Sequence, residues 1–537
     1  MKKNIQSINK KVGIAALIMM ASIFLSRVIG LFREMTIAYM GGAGSDVDAY
    51  QLAFIIPEIL NHVAASGFLS ITFIPIFTKY LVENNTDDGW QLFSTIVNII
   101  GGLLIFFIIL ATIFTYPMIH LLAPGITDQL TIDRAVTMTR IIMPAQFFFF
   151  VGGLLMAVQY THERFFIPAL APLIYNLGII IGGIALGSKL GMQGFSYGVL
   201  GGAFIGSFVL QYFGARRVGL KYSFVFCFKH PDFKKYLLLT LPLMLGMTVL
   251  FSTEIFFKFF GSYLPPGNIS ALNYAFRVMF MLVGFFGQAA GVASYPFLAQ
   301  LAAQNNISKM NSLLNDTLKK YIALIIPFSV LIAILRHEII LILFERGKFT
   351  ASDTQIAASI LMYLMIGAFA FAAQTVVVRG YYAMQDTLFP ALFSTLAVFL
   401  SIPFYYMGIQ YMNVDGIALA MSVSAIVQVI VLYVLWNRRT HNTGSRDVYL
   451  FFLRAMVMSL PIGMTIYWLR GYLIHWFPPK HLLHCLLTCA FTAFGFLGLL
   501  IVLGKIFQVR SIVHQIWEQI IYYVRAKKNR FAYNFNL

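Results

Sequence analysis

Apolar residues run along this chain in blocks long enough to cross a bilayer, and polar residues gather in the breaks between them. A helix needs about 20 predominantly apolar residues to span the hydrocarbon core, and by that measure the pattern predicts about fourteen transmembrane helices. They are expected at 13–40, 47–79, 91–119, 132–159, 166–187, 193–214, 236–262, 269–301, 316–335, 355–383, 388–409, 413–436, 449–472 and 482–506. The predicted fold class is an all-α polytopic membrane protein: two pseudo-symmetric six-helix lobes followed by two further transmembrane helices.

The stretch from Ser26 to Tyr80 departs from plain apolarity. Arg27, Arg33, Glu34, Asp48, Glu58 and His62 lie within or beside its two apolar runs. A charged side chain at the bilayer centre costs roughly 2.5–3.5 kcal/mol on insertion scales, so the two arginines are expected to line a polar cavity rather than face lipid. Arg27, Gly30 and Glu34 share one stripe of the first helix, and Arg33 sits about 120° around from Arg27. The second span contains Pro57, Gly67 and Pro75, each of which weakens or bends a helix. A broken membrane helix is tolerated where neighbours or a cavity satisfy the freed backbone groups. Glu58 and His62 are four residues apart there, with Asn61 beside them.

Composition agrees with a membrane protein, since 59% of the 537 residues are hydrophobic and only 11% charged, too few to clothe a soluble chain. The net charge of +18 would suggest nucleic acid were the basic residues not confined to alternate loops. Lys2, Lys3, Lys10 and Lys11 precede the first span; Arg216, Arg217, Lys221, Lys229, Lys234 and Lys235 fill one loop; Arg438, Arg439 and Arg446 fill another. With an even number of spans these regions share one side, which the positive-inside rule makes cytoplasmic. Both termini are thus expected inside, and no nucleic-acid partner is expected. The first apolar run is too long, carries arginines and lacks a small-residue cleavage site, so it reads as retained rather than as a signal peptide. Cys485 and Cys489, one helical turn apart, suit helix packing better than a disulfide or metal site. After 507, Ile512, Ile516, Ile520 and Val524 recur every four residues ahead of Arg525, Lys527, Lys528 and Arg530. That pattern predicts an amphipathic anchor on the anionic inner leaflet.

A shift of about 222 residues brings the chain back onto itself. Tyr160 precedes Pro168-Ala169-Leu170 as Tyr382 precedes Pro390-Ala391-Leu392, Gly125 maps near Gly347, and Pro75 near Pro296. The common offset predicts lobes at 1–214 and 236–440 with a basic linker at 215–235, two added spans at 441–507 and a tail at 508–537. In the second lobe Asn273, Arg277 and Gln288 share a helix face. Glu254 and Lys258, four apart in an apolar run, read as neutralising each other.

Several of these segments together resemble the MurJ (MviN) family of lipid II flippases in the MOP exporter superfamily. They are SRVIGLFRE, the Gly42–Gly44 turn followed by Asp48-Ala49, Phe73–Pro75, HERFFIPALAPLIYN from His162, Asn273 to Arg277, FERGKFTASDT from Phe344 and YYAMQDTLFP from Tyr381. The resemblance runs from about residue 15 to 440 and keeps the order and spacing of the motifs. It implies two lobes rocking about a central cavity and lipid II, or a related polyprenyl-pyrophosphate glycan, as substrate. Arg277 is carried over as a substrate contact, and Arg27, Arg33 and Arg277 are expected to hold the pyrophosphate, to which planar guanidinium donors are suited. Asp48 is expected to order the arginines or gate the outer end. Asn61 and His62 stand where the family carries a basic pair, and Ile55 replaces an expected lysine, which leaves glycan specificity open.

No cofactor is expected beyond a coupling monovalent cation, for which Glu254 and Asp386 are the candidate ligands. Asp386 reads more readily as a helix cap or gate. No GxxxxGK[ST] phosphate loop occurs, and an anion leaving an inside-negative cell gains about 2.3 kcal/mol per charge per 100 mV, so transport needs no ATP. Short outer loops without a nucleophile triad or metal-ligand spacing argue against an enzyme. A flippase for another polyprenyl-linked glycan and a multidrug/cation antiporter stay open as alternatives. The expected location is the bacterial cytoplasmic (inner) membrane, with membrane lipids as surroundings and cell-wall synthesis machinery left open as a partner.

Overall fold

A computed structural model of the chain describes residues 2–61, 68–248, 252–284, 289–386, 388–479 and 481–506, and every regular element among them is helical. In hydrocarbon each backbone N–H and C=O must be satisfied within the chain, a demand that a helix meets by itself. Among the described residues nine helical stretches are long and apolar enough to cross a membrane. His62, Gly67, Gln288 and the expected amphipathic tail lie outside the described residues.

The chain forms two compact units, one of residues 1–273 with 344–353 and the other of 274–343 with 354–537. The first unit opens with α1 (Lys2–Gly41), a helix of 40 residues. The expected second span is three helices, α2 (Ser45–Leu52), α3 (Ile55–Leu60) and α4 (Phe68–Val82), with Pro57 inside α3 and Pro75 inside α4. Then come α5 (Thr86–Ile113), α6 (Thr115–Leu122), α7 (Gln129–Ile142), α8 (Ala145–Thr161) and α9 (Phe166–Leu190). The next span is α10 (Gln193–Gly202), a π-helical stretch over Ala203–Val209 and α11 (Leu210–Arg216). After the linker, α12 (Pro231–Thr248) and α13 (Ser252–Gly261) cover the expected seventh span, and α14 (Asn268–Leu282) begins.

Glycines bring α9 and α10 together. A Cβ on Gly178 would stand 2.5 Å from the Cα of Gly202, and Gly182 meets Gly198 in the same way one turn along. Small residues at four-residue spacing allow this backbone approach, which is how apolar helices associate without a hydrophobic driving force between them. Helix α1 packs on α9, where the Ser22 hydroxyl donates to the carbonyl of Ala169.

In the second unit α14 is followed by α15 (Ala289–Ala303), α16 (Ile307–Ile334), α17 (Arg336–Phe344) and α18 (Ala351–Ala383). Next are α19 (Leu388–Thr440), α20 (Ser445–Trp476) and α21 (Leu482–Ile506). Helix α19 covers two expected spans and breaks between them at Asn413, whose φ of 50° and ψ of −128° leave the helical region. One end of this unit is held by amides: Asn315 Nδ2 donates to Asn442 Oδ1 at 2.9 Å, Tyr433 OH to Asn315 Oδ1 at 2.7 Å, and Trp436 Nε1 to Asn311 Oδ1 at 3.0 Å.

Candidate functional site

Helix α1 carries Arg33 and Glu34 side by side, with the guanidinium Nη2 2.5 Å from Glu34 Oε1. Arg33 Nη1 donates to Asn176 Oδ1 of α9 at 3.0 Å. Asn176 in turn donates to the Pro172 carbonyl at 2.9 Å and to Ser26 Oγ at 3.3 Å, which fixes its amide so that the oxygen faces the arginine. Asn273 Nδ2 on α14 reaches Glu34 Oε2 at 3.5 Å. The Arg33 side chain is 21% exposed and that of Glu34 6%. The pairing removes most of the cost of a lone charge among apolar helices. Arg33 Nε is buried and finds no hydrogen-bond partner among the described residues, so the guanidinium keeps donor capacity.

Both carboxylate oxygens of Asp48 on α2 are taken up at the start of α14. Gly267 N–H donates to Oδ2 at 2.5 Å, Ser270 N–H donates to Oδ1 at 2.7 Å, and the Ser270 hydroxyl donates to Oδ1 as well. The first N–H groups of a helix have no intrahelical partner and the N-terminal dipole favours an anion, so a carboxylate from another helix can serve as the cap. The adjoining turn is tight. Gly42 has a φ of +73°, a Cβ there would lie 2.6 Å from the Lys348 carbonyl oxygen, and Lys348 N–H donates to Tyr39 O at 2.9 Å. The glycine after α1 thus lets the FERGKF segment close against the helix end.

The other candidates are distributed along the helices. Arg27 is half-buried on α1, Asn61 is half-buried at the end of α3, and Glu254 is half-buried on α13. Lys258, one turn beyond Glu254, is almost fully buried, and its Nζ lies 3.6 Å from Glu58 Oε2 on α3. A carboxylate from a distant helix thus stands beside this lysine, a neighbour that the four-residue spacing to Glu254 does not reveal. Arg277 is half-buried on α14 within the second unit. Asp386 caps α19 by accepting from Phe389 N–H at 3.0 Å and pairs with Arg439, which is the capping role its position suggested.

Three relationships escaped sequence reasoning. Asn176 as a ligand of Arg33 left no local signal beyond an amide in an apolar helix. The pairs Arg134 with Asp46 and Arg470 with Glu338 join residues far apart in the chain, and only the charge of each residue within or near an apolar run marked it.

The chain matches the family described as Lipid II flippase MurJ over residues 37–487. A protein of Borreliella burgdorferi named "Probable lipid II flippase MurJ" is 25% identical over 455 residues, covering 84% of this chain and 88% of that protein. The lipid II flippase MurJ of Burkholderia cenocepacia is 25% identical over 451 residues, covering 83% of this chain and 87% of its own length. Among solved structures, a lipid II flippase MurJ in an inward closed conformation aligns with a TM-score of 0.75 at 25% identity, covering 91% of this chain and 99% of that one. An inward-facing multidrug resistance MATE family transporter of the MOP superfamily shares the fold, with a TM-score of 0.62 at 14% identity over 78% of this chain and 94% of that one. The chain therefore belongs to the MurJ family of lipid II flippases and is a membrane transporter rather than an enzyme.

Proposed function

We propose that this protein carries lipid II, the undecaprenyl-pyrophosphate-linked peptidoglycan precursor, from the inner to the outer leaflet of the bacterial cytoplasmic membrane by alternating access. The observation that carries the mechanism is Arg33, a guanidinium inside an apolar helix, oriented by Glu34 and Asn176 and still holding an unused buried donor. A guanidinium fixed in this way is suited to engage phosphate oxygens through two parallel N–H donors. Arg27, Arg33 and Arg277 are the proposed pyrophosphate contacts, while Asn61 and His62 occupy the place of the family's basic pair. Asp48 is proposed to hold the outer end in register. In this reading the lobes 1–214 and 236–440 alternate access, with both termini in the cytoplasm. Outward movement is driven by the membrane potential or by a coupling cation, for which Glu254 and Asp386 are the proposed ligands.

The test is replacement of a host's essential lipid II flippase by this chain, wild type and with Arg27, Arg33 or Arg277 changed to Ala, following growth and outward exposure of labelled lipid II. Rescue by the wild type and loss in well-inserted variants is the expected result. An inserted wild type that moves no lipid II would transfer the proposal to another polyprenyl-linked glycan, the reading kept open by Asn61. Full activity in every variant would make the arginines structural.

A further inference from the structure

Wholly within the second unit, and lined by none of the proposed pyrophosphate contacts, a cavity of about 370 Å³ opens among the starts of α17 and α18 and the far end of α20. Its polar lining is rich in donors: Arg336, His337, Gln355, Ser359 and Arg470, closed by Ala358, Met362 and Pro479. Two carboxylates stand behind this lining. Glu338, fully buried, accepts from Arg470 Nε at 2.8 Å, and Asp415 accepts from the Ser359 hydroxyl at 2.7 Å. Arg336 is oriented by donating from Nη1 to the Ala333 carbonyl at 2.8 Å. Glu338 thus orients Arg470, and Asp415 orients Ser359; each carboxylate keeps one buried oxygen without a hydrogen-bond partner among the described residues, but neither residue lines the cavity, whose wall carries the donors. His337 Nδ1 is buried and finds no hydrogen-bond partner among the described residues. A buried polar atom without a partner is costly, and a ligand acceptor would remove that cost.

The depth of the cavity indicates where such an acceptor comes from. Trp468, Tyr472 and Trp476 are exposed at four-residue spacing at this end of α20, forming one stripe on either side of Arg470 in sequence. Exposed tryptophan and tyrosine of this kind mark the membrane–water interface, the level of lipid phosphates. Basic pockets between transmembrane helices bind anionic headgroups at the cytoplasmic face, and donors of the same chemistry at the opposite face meet the phosphates of that leaflet. The geometry points to a binding site for the phosphate of an anionic phospholipid headgroup, held by Arg336, His337 and Arg470 at the end of the second unit that the proposed topology places outside. This site goes beyond substrate transport: it takes a resident lipid and is independent of the pyrophosphate contacts.

The experiment is native mass spectrometry of the purified full chain titrated with phosphatidylglycerol, with phosphatidylcholine, and with inorganic phosphate alone. The variants are Arg336→Gln and Gln355→Glu. Gln355 is exposed at the rim, so its replacement adds a negative charge without breaking a buried pair. The expected result is one phosphatidylglycerol retained in preference to phosphatidylcholine, with affinity about fivefold lower in each variant, the effect of one charge near the membrane surface. Unchanged phosphatidylglycerol affinity in Gln355→Glu, or equal retention of the two lipids, would overturn the site. Binding of inorganic phosphate with no preference between lipids would keep the anion chemistry and overturn the lipid source.

Discussion

Ser270 gives both its backbone N–H, at 2.7 Å, and its hydroxyl to a single oxygen of Asp48, so a residue on α2 caps the first turn of α14. Asp48 is buried, with 4% of its surface exposed, and its other oxygen accepts from Gly267 N–H. Replacing Asp48 by Asn keeps the shape, removes the charge that faces the helix dipole, and puts an amide donor against backbone donors. Asp48→Asn is expected to cost roughly 1–3 kcal/mol, the range for disrupting buried charge-assisted hydrogen bonds. Ser270→Ala, which loses only the hydroxyl, should cost roughly 0.5–1.5 kcal/mol. Thermal unfolding of the two purified variants measures the difference, and equal melting of Asp48→Asn and wild type would remove the capping argument.

Arg33 and Glu34 test whether a buried pair serves the fold or the substrate. Arg33→Ala leaves Glu34 as a carboxylate among apolar helices, and breaking a buried pair from one side costs roughly 3–5 kcal/mol. Arg33→Ala/Glu34→Gln removes both charges and should recover most of that stability, because the penalty came from the charge left behind. Lipid II exposure should remain lost in the double variant, since the oriented guanidinium of Arg33 is no longer there to engage phosphate beside Arg27 and Arg277. A stable double variant with normal flipping would assign the pair to folding alone.

Much of the architecture is legible because membrane helices announce themselves by length and apolarity. The break of the second span between Leu52 and Ile55, just ahead of Pro57, the interruption of α19 at Asn413 and the cap at Asp386 each follow from local chemistry that a reader of the chain can find. The site is less legible for a physical reason. Asn176 orders Arg33 from 143 residues away, and no local pattern links an amide in one helix to a guanidinium in another. Lys258 shows the same limit: its four-residue spacing to Glu254 was visible, whereas the approach of Glu58 depends on how α3 and α13 pack.

Asp128 should make the start of α7 sensitive to acid. Its side chain caps the helix, accepting from Thr131 Oγ1 at 2.5 Å, Thr131 N–H at 3.0 Å and Leu130 N–H at 3.4 Å. The Thr131 hydroxyl, then the Thr131 N–H, hold the carboxyl below its usual range. A depressed folded value means that the cap contributes fully above the unfolded pKa of about 3.9 and is lost as pH falls through the lower folded value. Amide exchange at Leu130 and Thr131, corrected for intrinsic rates, should therefore rise below about pH 4 in the wild type. In Asp128→Asn that acid-dependent rise should vanish, because asparagine caps without titrating.

Lys258 and Glu58 differ in how deeply the protein encloses each, and that asymmetry sets the last expectation. The lysine side chain is 2% exposed and the glutamate 33%, with 3.6 Å between Nζ and Oε2. Lys258→Met leaves the less enclosed of the two charges, so it should cost the less, about 0–1 kcal/mol. Glu58→Gln instead weakens the compensation of an ammonium with almost no access to water and should cost more, roughly 1–3 kcal/mol. The double variant Glu58→Gln/Lys258→Met should melt close to Lys258→Met, because once the buried ammonium is gone its partner's charge has little left to offset. Thermal unfolding of the three variants measures this order. If Lys258→Met proves the more damaging, the four-carbon stem of the lysine matters through packing, and the buried charge is not what Glu58 is there to balance.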